Sequence, residues 1–393
     1  QLYGLYQNKL PVKKKYLFDA DVLSILFDAR PATQVPFLRR AINLWNEQNF
    51  DGNKISKFVV GTVKKVLTSG DAANSDAKDN WISVAKTYIS NNDLFDKLES
   101  LTYHTQQKAY FYQGNTGERE YINDKSEMSF SAINYLKLPK ILQELTKSFD
   151  SIDQINKLKF HLEFQKVHQS AWKSTNIEHI NPLFNRIDTA FNSLQRVIEV
   201  VDDITNEYKA INIISLVHAN QEITRLLPML ISKMIYDEQK NTVSEGSVNQ
   251  TKHLIIDEAH NILNAENRNS GDDWQDYRLS VFEEIIKEGR KFGFYLTLSS
   301  QRPADISSTI LSQVHNYFIH RLVNDKDLKM LENTMPTLDR NSIQMIPSLG
   351  QGEAIITGNA IKIPVFVKVK KEELNRPDSD DVILTELWSA EKE

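Results

Sequence analysis

Apolar residues recur along this chain in two styles: three- and four-residue steps over the first half, short unbroken runs over the second. After Pro31, the residues Val35, Leu38, Ile42 and Trp45 keep helical steps and predict an amphipathic helix. Ile152, Ile155, Leu158 and Leu162, and again Phe191, Leu194, Ile198 and Val201, repeat that spacing. Residues 76 to 205 therefore read as mainly helical, a bundle whose apolar faces pack on one another. The polar stretch from Thr68 to Ser75 breaks the pattern and reads as a boundary.

From about residue 206 the style changes to strands alternating with helices. Ile211 to Leu216 predicts a strand, and Ile223, Leu226, Leu227, Leu230, Ile231 and Met234 a helix buried on a wide face, which Pro228 should kink or loosen. Polar loops at Thr242 to Gln250 and Asn264 to Asp273 flank a strand ending at Asp257. The second loop leads to a helix ending near Arg290, then a strand from Phe294 to Ser299. A short helix after Pro303, a strand from Tyr317 to Leu322 and helices to about Ile346 follow. Such alternation predicts an α/β fold with a mostly parallel sheet covered on both faces. Gly352 to Ile356, a turn at Thr357-Gly358-Asn359, and Ile361 to Val369 predict a hairpin. The polar tail beyond carries Ile383, Leu384, Leu387 and Trp388, an apolar group that suggests docking.

Composition narrows the class. With 393 residues, 40% hydrophobic and 25% charged, the chain has the make-up of a globular protein of two or three structural units. No apolar run approaches the ~20 residues that span a bilayer, and the amino end lacks a basic-then-apolar signal, so the expectation is a cytoplasmic protein without a membrane partner. The absence of cysteine excludes disulfides and thiolate-bound metal. His161 and His168 share a helix face, but no acid or third histidine joins them, so they read as solvated side chains. A net charge of −5 argues against a surface that coats nucleic acid, while leaving room for a local basic channel. Lys13-Lys14-Lys15 beside Pro11 reads as a solvated loop. The stretch holding Lys108, Tyr110, Phe111, Tyr112, Gly114, Gly117 and Arg119 mixes aromatics with bases, as single-strand binders do, but without a flanking basic groove it reads as a partly buried turn.

The candidate chemistry lies in His253-Leu254-Ile255-Ile256-Asp257-Glu258. An apolar run suited to a central parallel strand delivers two acids to its carboxyl end, where open α/β sheets place their ligands. Acids there are costly unless they face a cation or solvent. In a nucleotide hydrolase the first acid holds Mg²⁺ through water and the second polarises the attacking water. The usual phosphate cradle is G-x-x-x-x-G-K-[ST], yet the dipeptide Gly-Lys does not occur in this sequence, which starts at Gln1. The expectation is a carboxyl-terminal portion of a longer protein, with the phosphate loop upstream and no ATP hydrolysis by this portion alone.

Three segments in order, LIIDEAHNIL (254 to 263), EGRKFGFYLTLSSQRPADIS (288 to 307) and LSQVHNYFIHRLVNDKDLKML (311 to 331), resemble the HerA branch of the HerA/FtsK ring ATPases. GQGEAIITGNAIKIPVFVKV resembles that family's terminal hairpin, and LFDARPATQVPFLRRAI (26 to 42) more loosely resembles the part after its second core strand. The resemblance covers residues 17 to 45 loosely and 208 to 370 well. DEAH-box helicases share the letters DEAH but continue with a Ser-Ala-Thr segment, where this chain has Ser299-Ser300-Gln301-Arg302-Pro303.

The resemblance implies a RecA-like, mostly parallel sheet with a C-terminal β-hairpin, organised as 1–68 (first part of the ATPase core), 69–205 (helical insertion), 206–370 (core with its acidic strand) and 371–393 (tail). It implies ATP and Mg²⁺ as cofactors, Asp257 holding Mg²⁺ through water, Glu258 activating the lytic water, and Gln301 as a polar sensor. Arg290 is implied as an arginine finger reaching a neighbouring subunit, with Arg302 as substitute. A loop-capping role for Gln301 and a helix-dipole role for Arg290 stand beside these. His260 and His320 are read as packing or hydrogen-bonding residues. The implied partners are further copies of the chain in a hexameric ring, double-stranded DNA, and a nuclease or sirtuin-like effector in DNA processing or anti-phage defence. The alternative is a scaffold ring that regulates an effector with ATP as a switch; Glu258 favours turnover, since a scaffold needs no water-activating acid.

Overall fold

Three aspartates set helix starts in the first half of the chain. Asp19, Asp51 and Asp153 take extended backbone and accept hydrogen bonds from first-turn amides: Asp19 from Asp21 and Val22, Asp51 from Lys54, Asp153 from Asn156. They open helices Ala20–Leu26, Gly52–Thr68 and Gln154–Ala171. The computed structural model describes all residues except 5–7, 115–116, 123–127, 173–176, 204–207, 218, 244–247, 265–272, 336–337 and 371–393. The apolar tail group at Ile383, Leu384, Leu387 and Trp388 and most of the loop after Asn264 lie outside the described residues. The chain divides into two units, Gln1–Ile235 and Tyr236–Glu393.

The first unit has strands β1 (Leu2–Gly4), β2 (Leu10–Lys13), β3 (Thr102–His104), β4 (Ala109–Gln113), β5 (Arg119–Ile122), β6 (Ile198–Val201) and β7 (Ile213–Ser215) among its described residues. β1 pairs parallel with β7 and β2 parallel with β6. The predicted helix after Pro31 is Gln34–Gln48, burying Phe37, Leu38, Ala41, Ile42 and Trp45. A row of ring contacts then runs through the helices, from Trp45 to Phe149, Phe160, Phe164 and Trp81. The Trp81 indole N–H donates to the Val59 carbonyl at 3.0 Å, so the buried ring leaves no donor unpaired.

Four sequence expectations need correction here. Lys13 does not lie in a solvated loop: it closes β2, which buries Leu10 and Val12, with an ion pair to Asp203 at 2.8 Å. Ile198 and Val201 belong to β6, not to a helix, because the β-branched run around them pairs with β2. The stretch read as a turn is an antiparallel sheet, β3–β4–β5, which buries Tyr110 and Tyr112 and leaves Phe111 and Tyr121 half-buried. His161 is buried, not solvated.

The second unit has strands β8 (Lys252–Ile256), β9 (Phe294–Leu298), β10 (Asn316–Ile319), β11 (Glu353–Gly358) and β12 (Ile361–Lys368). β8 and β9 are parallel, and the predicted hairpin is β11–β12. The α/β class and the parallel pairing expected of the core strands are thus observed. β10 pairs antiparallel with β11, over a cluster of Ile319, Leu331, Met335, Leu338, Ile346, Leu349 and Ile355. Among the described residues these strands are not covered on both faces: Ile255 is 70% exposed and Phe318 69%. An apolar run cannot report which of its faces has a partner. Helix Gln221–Thr242 continues through Pro228.

His161 gives a testable pH dependence. Its Nε2 lies 2.8 Å from the Ala41 carbonyl, its Nδ1 is buried without a hydrogen bond, and burial pushes its pKa down to about 4 from 6.5. The unfolded chain takes up a proton that the folded state refuses, so this stability is complete above about pH 6.5 and lost as pH falls towards about 4. We expect urea unfolding to show a loss of about 2 kcal/mol between pH 7.5 and pH 5 that is absent in His161→Phe. Equal pH slopes in the two proteins would contradict this.

Candidate functional site

The starts of β8 and β9 are fixed by one buried amide. Gln239, 1% exposed, donates from Nε2 to the carbonyls of Gln250 (2.7 Å) and Phe292 (2.9 Å), just before β8 and β9. Tyr236 packs edge-on against Phe292 and Phe294 beside this clamp. Between the helix Asp273–Glu288 and β9, the turn Gly289–Phe292 ends at Gly293, whose φ of 69° favours glycine. The register then runs from Lys252 opposite Phe294 to Ile256 opposite Leu298. Parallel strands in this register bring their carboxyl ends to one edge. There the Ser299 amide donates to the Ile256 carbonyl (2.9 Å) and the Ala259 amide to the Ser299 carbonyl (2.8 Å).

On that edge Asp257 is exposed, and its Oδ1 accepts from the Glu258 amide at 3.0 Å. Glu258 has a left-handed backbone, φ 47°, which costs a non-glycine residue about 1–2 kcal/mol. Its Oε1 accepts from Gln301 Nε2 at 2.8 Å. Its Oε2 is buried and lies 3.2 Å from His260 Nδ1, close enough for charge interaction but without hydrogen-bond geometry. His260 Nδ1 is 3.1 Å from Ser300 Oγ, which also accepts from the Arg302 amide at 3.0 Å.

The structure therefore brings together Asp257, Glu258 and Gln301, with Arg302 contributing its backbone and leaving its side chain exposed. Arg290 is not among them. It is exposed in the turn before β9, at the other end of the strand from Gln301. His320 bonds the Glu353 carbonyl through Nδ1, a hydrogen-bonding role as expected. Sequence reasoning passed over Gln239 and Ser300. Ser300 had a signal, its place just past an apolar strand, but Gln239 is a polar residue in a helix that only the fold turns inward.

No group of three or more histidine, aspartate or glutamate side chains able to hold a metal occurs among the described residues. Mg²⁺ keeps several waters and takes one or two carboxylates beside substrate phosphates. Asp257 fits such a demand: it is exposed, and its Oδ2 accepts no hydrogen bond from the described residues.

The turn before β9 separates two roles for Arg290. A Cβ on Gly289 would lie 2.8 Å from the Phe294 carbonyl oxygen, so Gly289→Ala must displace backbone and should cost about 1–3 kcal/mol in a thermal melt. Arg290→Ala, at an exposed position without an ion pair among the described residues, should leave the melt unchanged. A loss in Arg290→Ala as large as in Gly289→Ala would mark the arginine as a stabiliser of the helix end.

No family model matches the chain. Among curated proteins, the DNA double-strand break repair helicase HerA of Sulfolobus acidocaldarius is 26% identical over 280 residues, covering 70% of this chain and 55% of the relative. The probable DNA double-strand break repair helicase HerA of Methanocaldococcus jannaschii is 36% identical over 118 residues, 30% of this chain and 22% of the relative. The chain spans about half the length of the curated relatives it matches over most of its own length. Among solved structures, the bacterial conjugative coupling protein TrwB aligns with 96% of this chain and 75% of its own at 13% identity, with a TM-score of 0.36, too low to argue from. The curated relatives bear out the resemblance read from residues 254–263, 288–307 and 311–331, and the chain is a relative in sequence of the HerA-type ATPases.

Proposed function

We propose that this chain carries the water-activating part of a ring-forming, ATP-driven DNA translocase of HerA type. The observation that carries the reading is the Glu258 carboxylate, presented at the carboxyl end of a parallel strand, bonded to Gln301 from the adjacent strand end and flanked by exposed Asp257. A carboxylate so placed can accept the proton of a water attacking the γ-phosphoryl group, while the Gln301 amide orients that water or reports the phosphate. Mg²⁺, when bound, would neutralise charge on the phosphate oxygens, and exposed Asp257 would hold it through water. The usual phosphate-cradling motif G-x-x-x-x-G-K-[ST] does not occur in this sequence, and this reading requires that the phosphates be held by another part of the protein.

Arg290 acts in the site of a neighbouring copy on this reading, and Arg302 is the alternative. The region 206–370 carries the ATPase chemistry, with 69–205 as a helical insertion. DNA as the substrate is supported by relatives named as DNA double-strand break repair helicases. A hexameric ring on double-stranded DNA in the cytoplasm, working with a nuclease or a sirtuin-like effector in DNA processing or anti-phage defence, extends the same reading. No helix among the described residues is long and apolar enough to cross a membrane.

The test is ATP turnover by the full-length protein. Glu258→Gln should bind ATP yet turn it over about 100-fold more slowly, the scale of a lost positioned base. Asp257→Asn should also weaken Mg²⁺-dependent binding. The 393-residue chain by itself should hydrolyse no ATP, because its acids face no positioned phosphate. Turnover in Glu258→Gln equal to wild type would remove the site assignment, and wild-type protein that binds ATP without turnover would favour the scaffold.

Arg290→Ala should keep ATP affinity and lose hydrolysis, since the guanidinium matters most when charge builds in the transition state. Mixing Arg290→Ala with Glu258→Gln subunits creates interfaces with both residues intact, and part of the activity should return. An Arg290→Ala protein at the wild-type rate shifts the role to Arg302.

A further inference from the structure

A carboxylate that takes a proton from water must keep its free lone pair aimed at that water, so its orientation matters as much as its presence. Gln301 fixes only Oε1 of Glu258, and Gln301 is itself exposed. The other oxygen, Oε2, is buried 3.2 Å from His260 Nδ1. A bare Nδ1 would hold its partial negative charge 3.2 Å from a carboxylate oxygen that is shielded from water, which is repulsive even without hydrogen-bond geometry. A proton on Nδ1 turns the contact into attraction. Ser300 can hold that proton in place, because its Oγ lies 3.1 Å from Nδ1 and has a second lone pair beyond the one used by the Arg302 amide.

His260 is also fixed by its surroundings. It sits on the short turn Ala259–Asn261, opened by the left-handed backbone of Glu258, and its side chain is 14% exposed. Ala259 before it is fully buried and its amide is bonded to the Ser299 carbonyl at 2.8 Å. The ring therefore stands on two strand ends at once, β8 through the chain and β9 through Ser300.

We propose that His260 is a positioning residue for Glu258: with Nδ1–H donated to Ser300 Oγ, the positive edge of its ring holds the carboxylate at Oε2 by charge attraction while Gln301 holds Oε1. The inference rests on the reading of Glu258 as the water-activating acid, and two experiments separate its failure from the failure of that reading.

The first needs no activity. In the 393-residue chain with ¹⁵N-labelled histidine, long-range ¹H–¹⁵N spectra report which ring nitrogen carries the proton, and His260→Asn identifies the signal among nine histidines. The expected result is a proton on Nδ1, against the Nε2–H form that free imidazole side chains prefer; a bare Nδ1 would overturn the proposal. The second uses ATP hydrolysis by full-length protein. His260→Ala should lower kcat about 10-fold with KM for ATP within about twofold, and His260→Asn, whose amide N–H lies near the place of Nδ1, should recover most of the loss. A purely structural histidine would give no such recovery, and that outcome counts against the proposal, as does an unchanged kcat in His260→Ala while Glu258→Gln is inactive. If Glu258→Gln itself keeps full turnover, the reading beneath the proposal fails, whatever the tautomer.

Discussion

The register of β8 against β9 is the constraint on which the site depends. Each side chain at the acidic edge reaches its partner only because Ile256 stands opposite Leu298, so that the residues after each strand meet. A slip of one residue would turn the alternating faces over and move Gln301 away from Glu258. Two contacts hold the register at opposite ends. Gln239 ties the carbonyls before both strands from a buried position, and Ser299 exchanges backbone hydrogen bonds with Ile256 and Ala259 beyond them. A buried amide that left two carbonyls unpaired would cost about 1–3 kcal/mol for each, which makes Gln239 more than a helix residue with a polar side chain.

The acidic edge sets local cost against placement. A left-handed glutamate and a buried carboxylate oxygen without a hydrogen bond both oppose folding. They persist because the neighbouring buried alanine and the strand ends over-determine the turn.

What the sequence made legible follows the same physics. Long amphipathic helices were readable because 3.6-residue periodicity repeats over several turns, as in Gln34–Gln48. The four-residue strands β2 and β6 were not, since two or three apolar residues fit either period, and Ile198 and Val201 happen to continue a helical step from Leu194. The aromatic stretch at Tyr110 to Tyr121 hid a sheet because its buried and half-buried faces are both aromatic, which removes the polar alternation that marks a strand. In the site, Asp257 and Glu258 were legible from their place after an apolar run. The contact of His260 with Glu258 was not, because it depends on a left-handed turn at a residue type that rarely makes one.

The two ends of β9 carry an argument about how such a site is completed. Arg290 lies before the strand and Gln301 after it, with five residues of β9 between, about 16 Å of extended chain and longer than an arginine side chain. Within one copy, then, the arginine and the acidic edge are separated by the strand that positions them both. If Arg290 neutralises charge during phosphoryl transfer, the site it serves is on another copy, and the distance that keeps it from its own glutamate is what makes hydrolysis depend on assembly. Gly293 and the clamp on Phe292 fix that spacing, so the rigidity of the β9 entrance bears on the arginine as much as the register bears on Glu258.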